Sequence, residues 1–396
     1  MTNRQLFLSH IAQTSPAPIG LEIVKAQGIK MWDVNGKEYI DLISGFSVCN
    51  IGHSHPDVIK AIKEQVDKYM HLIVYGEFIE TPQVAYAKMI TDHLPSSLNS
   101  VYFTNSGAEA TEGAMKLAKR VTGRSKIIAC NKAYHGSTQG ALSLMGDEYW
   151  RNAFRPLLPD IYHLNFNSDD LINAVDSDTA CVIVETVQAE SGVNKPSPEW
   201  IKTLRVKCFE KGSLLIFDEI QAGFGRTGSL WAFEQYNAVP DILLLGKALG
   251  GGMPLGAFIA DIKLMNALTN NPVLGHITTF GGHPVSCAAG LAAMNVLLQN
   301  KWIEDVKAKE QLFLRLLQHK KIKSVRSAGL WLSLEFDSFE TCKSIIDRCI
   351  EEGVISDWFL FEPNCMRIAP PLIILEEEIA AISSIILSCI SLQFIS

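Results

Sequence analysis

Two apolar runs in this chain end abruptly in charge. Leu214-Leu215-Ile216-Phe217 runs into Asp218-Glu219, and Ile242-Leu243-Leu244-Leu245 passes through Gly246 into Lys247. They belong to a series of strand-like runs that also includes Val101–Thr104, Ile127–Cys130 and Cys181–Val184, with helically spaced stretches between them. Continuous apolar strands alternating with helices predict an α/β fold, a parallel sheet covered on both faces. In an open sheet of that kind the ligand crevice lies at the carboxyl ends of the strands. Asp218 and Lys247 are expected there. An amine beside apolar residues tends towards a lowered pKa, which favours nucleophilicity and imine formation. A buried Lys–Asp ion pair, or a helix-capping lysine, is the structural alternative for these two residues taken alone.

The chain has 396 residues, 47% hydrophobic and 19% charged, enough to bury the cores of two or three domains. A net charge of −7 and the lack of any long Lys/Arg run exclude nucleic acid as the main partner. The start, Met1–His10, lacks the apolar core of a signal peptide, so a cytoplasmic location is expected. Cysteines at 49, 130, 181, 208, 287, 342, 349, 365 and 389 stand singly without a CxxC pair, and read as reduced core residues rather than a disulfide frame or metal site. Ile379–Ser396 carries no charge, at the lower length limit for a spanning helix. Its serines and the helical spacing of Ile379, Ile382, Ile385, Ile386 and Ile390 predict a docked amphipathic helix instead, with no membrane partner.

Residues 22–43 hold a strand pattern broken by Asn35-Gly36, a strong hairpin signal. Helical periodicity dominates from about Asp57 to Asp92. After residue 290 a long helix leads to a strand near Leu330–Phe336, a helix over Phe339–Glu352 and the C-terminal helix. The expected division is a large domain over 51–290 and a smaller α+β domain built from 1–50 and 291–396.

Two glycine-rich stretches point to the wrong chemistry. Gly223-Phe224-Gly225-Arg226-Thr227-Gly228 is a literal GxGxxG, but Asp218–Ala222 separates it from the strand end, which argues against a nicotinamide or flavin site. Gly246-Lys247 resembles the end of a P-loop, yet Asp241 stands where its first glycine belongs and Ala248 replaces the Ser/Thr. Thr104-Asn105-Ser106-Gly107-Ala108-Glu109-Ala110 is the better anion candidate, since it follows a strand and opens a helix whose first amides are free. An ordinary N-cap, with Ser106 and Glu109 as a capping box, fits the same residues.

An imine-forming lysine, an anion cradle, a strand-end carboxylate and an aromatic at Tyr134-His135-Gly136 are together what pyridoxal 5'-phosphate requires. The chain resembles the class III aminotransferases, the ornithine, acetylornithine and 4-aminobutyrate group of fold-type I pyridoxal-phosphate enzymes. The resemblance runs from Gly28-Ile-Lys-Met-Trp-Asp-Val-Asn-Gly36 to Arg367-Ile-Ala-Pro-Pro-Leu372. Its core blocks are Asn105–Ala110, Asp218–Gly228, Gly246-Lys247 and Thr278-Thr279-Phe-Gly-Gly-His-Pro284.

The resemblance implies a transaminase working by a ping-pong cycle between an amino donor and a 2-oxo acid, 2-oxoglutarate foremost. It implies that Lys247 forms the Schiff base and shuttles the proton, and that Asp218 holds the pyridine nitrogen protonated. It implies cofactor contacts from Ser106, Gly107, Ala108, Tyr134 as the stacking ring, His135, Glu185, Gln221, Thr278 and Thr279. In the family Thr279 is given by the partner subunit, so a homodimer with shared sites is expected. Arg367 resembles the arginine that grips a substrate carboxylate, and Glu190 the acid that gates it. Phe46 falls at a substrate wall. Many relatives carry an arginine where this chain has Ser137; that change removes a charge and a planar fork, so the amino donor is open. An aminomutase or decarboxylating enzyme on the same fold is the alternative within this cofactor class, and a nicotinamide oxidoreductase the alternative outside it.

Overall fold

The structure, a computed structural model, describes residues 1–392. Near the N-terminus lie strands β1 (Ile23–Gln27), β2 (Lys30–Asp33) and β3 (Glu38–Asp41). The Asn35-Gly36 signal is met: β2 and β3 pair antiparallel, Gly36 sits at φ 82°, and Asp33 Oδ1 accepts the amides of Asn35 and Lys37 at 2.9 Å each.

The middle of the chain supplies β4 (Ser100–Thr104), β5 (Lys126–Cys130), β6 (Ile161–Leu164), β7 (Thr179–Glu185), β8 (Leu214–Asp218), β9 (Ile242–Leu245) and β10 (Gly256–Ala260). They form one sheet in the order β4-β10-β9-β8-β7-β5-β6. The pairs β5·β6, β5·β7, β7·β8 and β8·β9 are parallel, and β10 runs antiparallel to both of its neighbours. Alternate residues feed opposite faces, as a pleat requires. Leu215, Phe217, Leu243 and Leu245 join one apolar cluster, whereas Ile216, Ile242 and Leu244 join another on the far side. Burial on both faces explains the unbroken apolar runs. Each such side chain withdrawn from water contributes roughly 1.5–3 kcal/mol.

Strands β6 and β10 escape the sequence reading. β6 is an edge strand whose residues are only partly buried, so its apolar run is short and mixed. β10 is small-residue rich, and its identity comes from the slot between β4 and β9. The helix Gly107–Thr122 crosses β10 closely: a Cβ on Gly113 would stand 2.3 Å from the Phe258 ring.

Towards the C-terminus β11 (Ser324–Ser327), β12 (Leu332–Glu335), β13 (Val354–Ile355), β14 (Trp358–Phe359) and β15 (Glu362–Ile368) follow. β13 pairs parallel with β3, which joins the two ends of the chain in one sheet. The others form an antiparallel sheet in the order β11-β12-β15-β14. The C-terminal helix spans Glu376–Leu392, with Ile379, Ile382, Ile386 and Ile390 buried. Residues 393–396 of the expected helix lie outside the described residues. Among the described residues no helix is long and apolar enough to cross a membrane. Eight of the nine cysteines are buried, Cys49 is partly exposed, and none is bridged.

Candidate active site

The carboxyl ends of β7, β8 and β9 converge on a cleft of about 210 Å³. Parallel register sets Glu185 opposite Asp218 and Asp218 opposite Leu244. Both strand-end charges singled out in the sequence, Asp218 and Lys247, line it. They are not bonded to each other. Asp218 Oδ2 is 2.7 Å from His135 Nδ1, and its Oδ1 accepts the Ile220 amide at 2.9 Å. Lys247 Nζ donates instead to Gln221 Oε1 at 2.8 Å. The simple buried Lys–Asp ion pair is therefore not what the fold builds.

Lys247 begins a short 3₁₀ turn and holds φ 49°, a left-handed conformation that costs a side-chain-bearing residue roughly 1–2 kcal/mol. Strain of this kind concentrates at functional sites. Burial lowers the lysine pKa to about 8; the charges of Glu190, Asp218 and Glu185 oppose that and Arg367 adds to it. Burial likewise lifts the Glu185 carboxyl well above the usual carboxylate range, and the neighbouring Asp218 charge pushes it further.

Gly107 and Ala108 form the cleft wall at the start of the helix Gly107–Thr122. The Ser106 side chain is committed to the helix end, accepting the Glu109 amide at 3.2 Å, so the N-cap reading holds for it. The Glu109 carboxylate reaches the amide of Asn105 rather than that of Ser106, one residue earlier than a standard capping box. Helix geometry leaves the Gly107 and Ala108 amides without intrahelical partners, at the positive end of the dipole. Glycines allow this end to be approached. A Cβ on Gly136, at φ 131°, would lie 2.5 Å from the Ala108 Cβ; one on Gly107 would lie 2.7 Å from Ile220. Tyr134 and Ser137 complete the rim, with their hydroxyls 2.9 Å apart.

A second charged cluster adjoins the cleft. Arg367 of β15 donates from Nη1 and Nη2 to the two Glu190 oxygens at 3.0 and 2.9 Å, a bidentate pair, and from Nε to Asp357 Oδ1 at 2.8 Å. Its guanidinium lies 5.0 Å from the Phe46 ring centre and 4.4 Å from that of Phe359. Burial works against charge here, but Glu190 and Asp357 more than offset it and raise the Arg367 pKa. For Glu190, burial is outweighed by Arg367, so its carboxyl is held below the usual range. Asp357 is pushed up to about 6, burial and Glu190 winning over Arg367.

Tyr134, His135, Ser137, Glu185, Asp218, Gln221 and Lys247 are thus brought together as expected, with Glu190, Arg367 and Phe46 beside them. Thr278 and Thr279 are not. Thr278 lines a separate groove with Gln83 and Phe103, where its Oγ1 accepts from Asn105 Nδ2 at 3.0 Å, and Thr279 is solvent-exposed. Asp357 and Phe359 escape the sequence reading. A weak signal for Asp357 exists, since it follows the short apolar run Val354-Ile355 after one intervening Ser356, as Lys247 follows its run after Gly246.

The residues fit pyridoxal phosphate. The open amides and glycines of Gly107–Ala108 suit a phosphate, Asp218 suits a ring nitrogen, and Tyr134 offers a flat face. The buried nitrogens His135 Nε2 and Gln221 Nε2 have no hydrogen-bond partner among the described residues, as expected of groups awaiting a polar ligand. No cluster of three or more potential metal ligands occurs among the described residues.

Residues 11–390 match the sequence profile of the family Aminotransferase class-III. Acetylornithine aminotransferase of Methanopyrus kandleri is 39% identical over 375 residues, covering 93% of this chain and 94% of the relative. The [LysW]-aminoadipate semialdehyde/glutamate semialdehyde transaminase of Sulfolobus acidocaldarius is 38% identical over 322 residues, 80% of this chain and 82% of its own length. Among solved structures, an ornithine aminotransferase of Toxoplasma gondii with pyridoxal phosphate partly occupying its active site superposes with TM-score 0.91 at 31% identity, covering 98% of this chain and 93% of that one. With the cleft and its lysine, these matches make the chain a member of the class III aminotransferases, pyridoxal-phosphate-dependent transaminases.

Proposed function

We propose that Lys247, Asp218 and the open end of helix Gly107–Thr122 hold and operate the cofactor, and that Arg367 selects the substrates. The observation that carries this is one cleft holding a lysine whose pKa burial brings to about 8, a carboxylate fixed by His135, and an uncapped pair of helix amides. Bound there, pyridoxal phosphate supplies an aldehyde for imine exchange and a ring that draws off carbanion charge. The Lys247 amine, partly neutral near pH 7, would hold the cofactor's carbonyl end and would take and return a proton at its Nζ. Asp218, oriented by His135, would keep a ring nitrogen protonated, and Gln221 would offer its unpartnered Nε2 to a ring oxygen. Glu185, Ser106, Gly107, Ala108 and Tyr134 complete the enclosure.

Arg367 grips the distal carboxylate of a 2-oxo acid, 2-oxoglutarate by this reading, when Glu190 lets go; Glu190 neutralises it when the donor brings no carboxylate there. The relatives named acetylornithine aminotransferase support an ornithine-type donor reacting at its terminal amine. Ser137 and Phe46 give this chain a neutral wall where a second cation would otherwise bind acid.

We read the enzyme as a cytoplasmic homodimer with domain limits near residues 50 and 290. Support for the dimer comes from an apolar surface around Ile79, 93% exposed, and Val273, 70% exposed. The segments bearing it meet where His71 lies 4.7 Å from the Phe280 ring, next to Thr278 and Thr279. Exposed apolar patches of this kind mark protein contacts. In the dimer Thr278 and Thr279 face the other subunit's phosphate site.

The test is borohydride reduction of the coloured holoenzyme followed by peptide mass spectrometry. The cofactor's mass is expected on Lys247, and glutamate is expected to bleach the visible band. Label on another lysine, or a Lys247→Ala protein that still turns over, sinks the assignment.

A further inference from the structure

Phe46 meets Arg367 from an unusual stretch of backbone. Ser44, Gly45, Phe46 and Ser47 all lie in the left-handed region, at φ 46°, 60°, 62° and 64°. Three of the four carry side chains, for which that region is disfavoured. Such a run persists only where its surroundings over-determine it.

Two groups do so. Asp41 Oδ1 accepts the amides of Ile43 and Ser44 at 2.7 and 2.9 Å, while its Oδ2 pairs with His53 Nε2 at 2.8 Å. Arg226, the arginine inside the GxGxxG stretch, does the rest. Its side chain is wholly buried. On one side its Nη2 donates to Ser44 Oγ at 3.0 Å and to Asn50 Oδ1 at 2.6 Å. On the other its Nη1 donates to the carbonyls of Leu330 at 2.7 Å and Pro370 at 2.6 Å. Ser44 Oγ donates onward to the Ala369 carbonyl at 2.8 Å, and the Ala369 amide donates to the Leu42 carbonyl at 2.7 Å.

Arg226 therefore ties together three segments: the stretch from the turn that presents Phe46 to Asn50, the loop at Leu330, and the chain just beyond Arg367. All four of its acceptors are neutral, so the guanidinium serves as a planar fork of donors rather than as half of an ion pair. A lysine ammonium cannot reproduce that fork.

We infer that Arg226 is a positioning residue for the substrate-carboxylate pocket. It locks the left-handed Phe46 turn against the Arg367 segment, so ring and guanidinium keep one geometry when Glu190 yields to a substrate carboxylate. The inference rests on the reading of Arg367 as the carboxylate-binding cation.

The test uses holoenzyme variants Arg226→Lys and Ser44→Ala, with glutarate as a non-reacting dicarboxylate probe measured by calorimetry. Both variants are expected to raise the glutarate dissociation constant and the KM for 2-oxoglutarate by about tenfold or more, the scale of one charge-assisted hydrogen bond. The donor half-reaction with a carboxylate-free amine is expected to stay within about twofold, a difference smaller than one hydrogen bond. Unchanged glutarate binding in both variants overturns the inference. So does an equal loss for the carboxylate-free amine, which would mark a general structural role. If Arg226→Lys does not fold, Ser44→Ala decides alone, since it removes one hydroxyl. Arg367→Ala separates the two readings. Glutarate binding retained there sinks the role of Arg367; binding lost there but kept in the other two sinks only the role of Arg226.

Discussion

The depressed pKa of Lys247 has a rate and a stability consequence, both open to measurement in the apo-protein. At about 8 instead of 10.5, about one Lys247 amine in ten is neutral at pH 7, against about one in three thousand for an ordinary lysine, a gain of about 300-fold. Cyanate reacts only with neutral amines, so carbamylation followed site by site by peptide mass spectrometry reads this population. The Lys247 rate itself, taken without normalisation, is expected to rise with pH and level off above about 8.

The structure also dictates how charge substitutions move that midpoint. Burial is the largest cause of the shift, with Glu190 raising the pKa and Arg367 lowering it. Glu190→Gln is therefore expected to move the midpoint further down, and Arg367→Met to move it up. The same depression, at about 1.4 kcal/mol per pH unit, corresponds to about 3 kcal/mol of folding stability. The sign follows from proton counts. Between pH 8 and 10.5 the unfolded chain holds the extra proton, so stability rises with pH across that window and the penalty is complete below 8. Lys247→Met apo-protein should then resist denaturant better than wild type at pH 7, and lose that advantage towards pH 10.5. A Lys247 midpoint near 10.5, or both charge variants moving it the same way, refutes the reasoning.

Asp218→Asn keeps the side-chain volume but removes the charge held by His135. Transamination is expected to fall by at least about 100-fold, as for loss of one preorganised electrostatic group, with the apo fold unchanged by circular dichroism; near-normal turnover removes Asp218 from the chemistry. Gly136→Ala places a Cβ 2.5 Å from the Ala108 Cβ at a positive φ, and is expected to weaken cofactor retention by about 1–3 kcal/mol, read as the pyridoxal phosphate dissociation constant. Equal retention would show that the approach of Gly136 to the helix end does not shape the phosphate site. Ser137→Arg restores a fork at the cleft rim and should raise kcat/KM for acetylornithine or ornithine by about tenfold, the scale of one charge-assisted hydrogen bond. No change in either substrate shows that Ser137 does not set the donor.

Much of the site was legible because the chemistry sits where strands stop. An apolar run buried on both faces has no reason to end in Asp218 or Lys247 unless the strand end faces a crevice. Motif registry then brought Gln221, Tyr134 and the Gly107–Ala108 amides to the same place. Other residues followed no local signal. Arg226 lay inside a glycine motif that pointed to the wrong cofactor, and its partners are spread over Ser44, Asn50, Leu330 and Pro370. Asp357 stands one residue beyond a run of only two apolar residues, with Ser356 between, too weak a pattern to stand out.

The sequence by itself determined the α/β alternation, the hairpin at Asn35-Gly36, the docked C-terminal helix and the placing of Lys247 at a strand end. These follow from periodicity, turn chemistry and the abrupt end of apolar runs, all local properties. Only the tertiary structure decided that Lys247 bonds Gln221 and not Asp218. It also decided that Arg367 is shared by Glu190 and Asp357, and that Phe46 reaches it through a left-handed turn. The hydrogen bonds among those outcomes join groups up to 177 residues apart, and contacts at that separation are set by how sheets and ends pack, which no window of sequence contains.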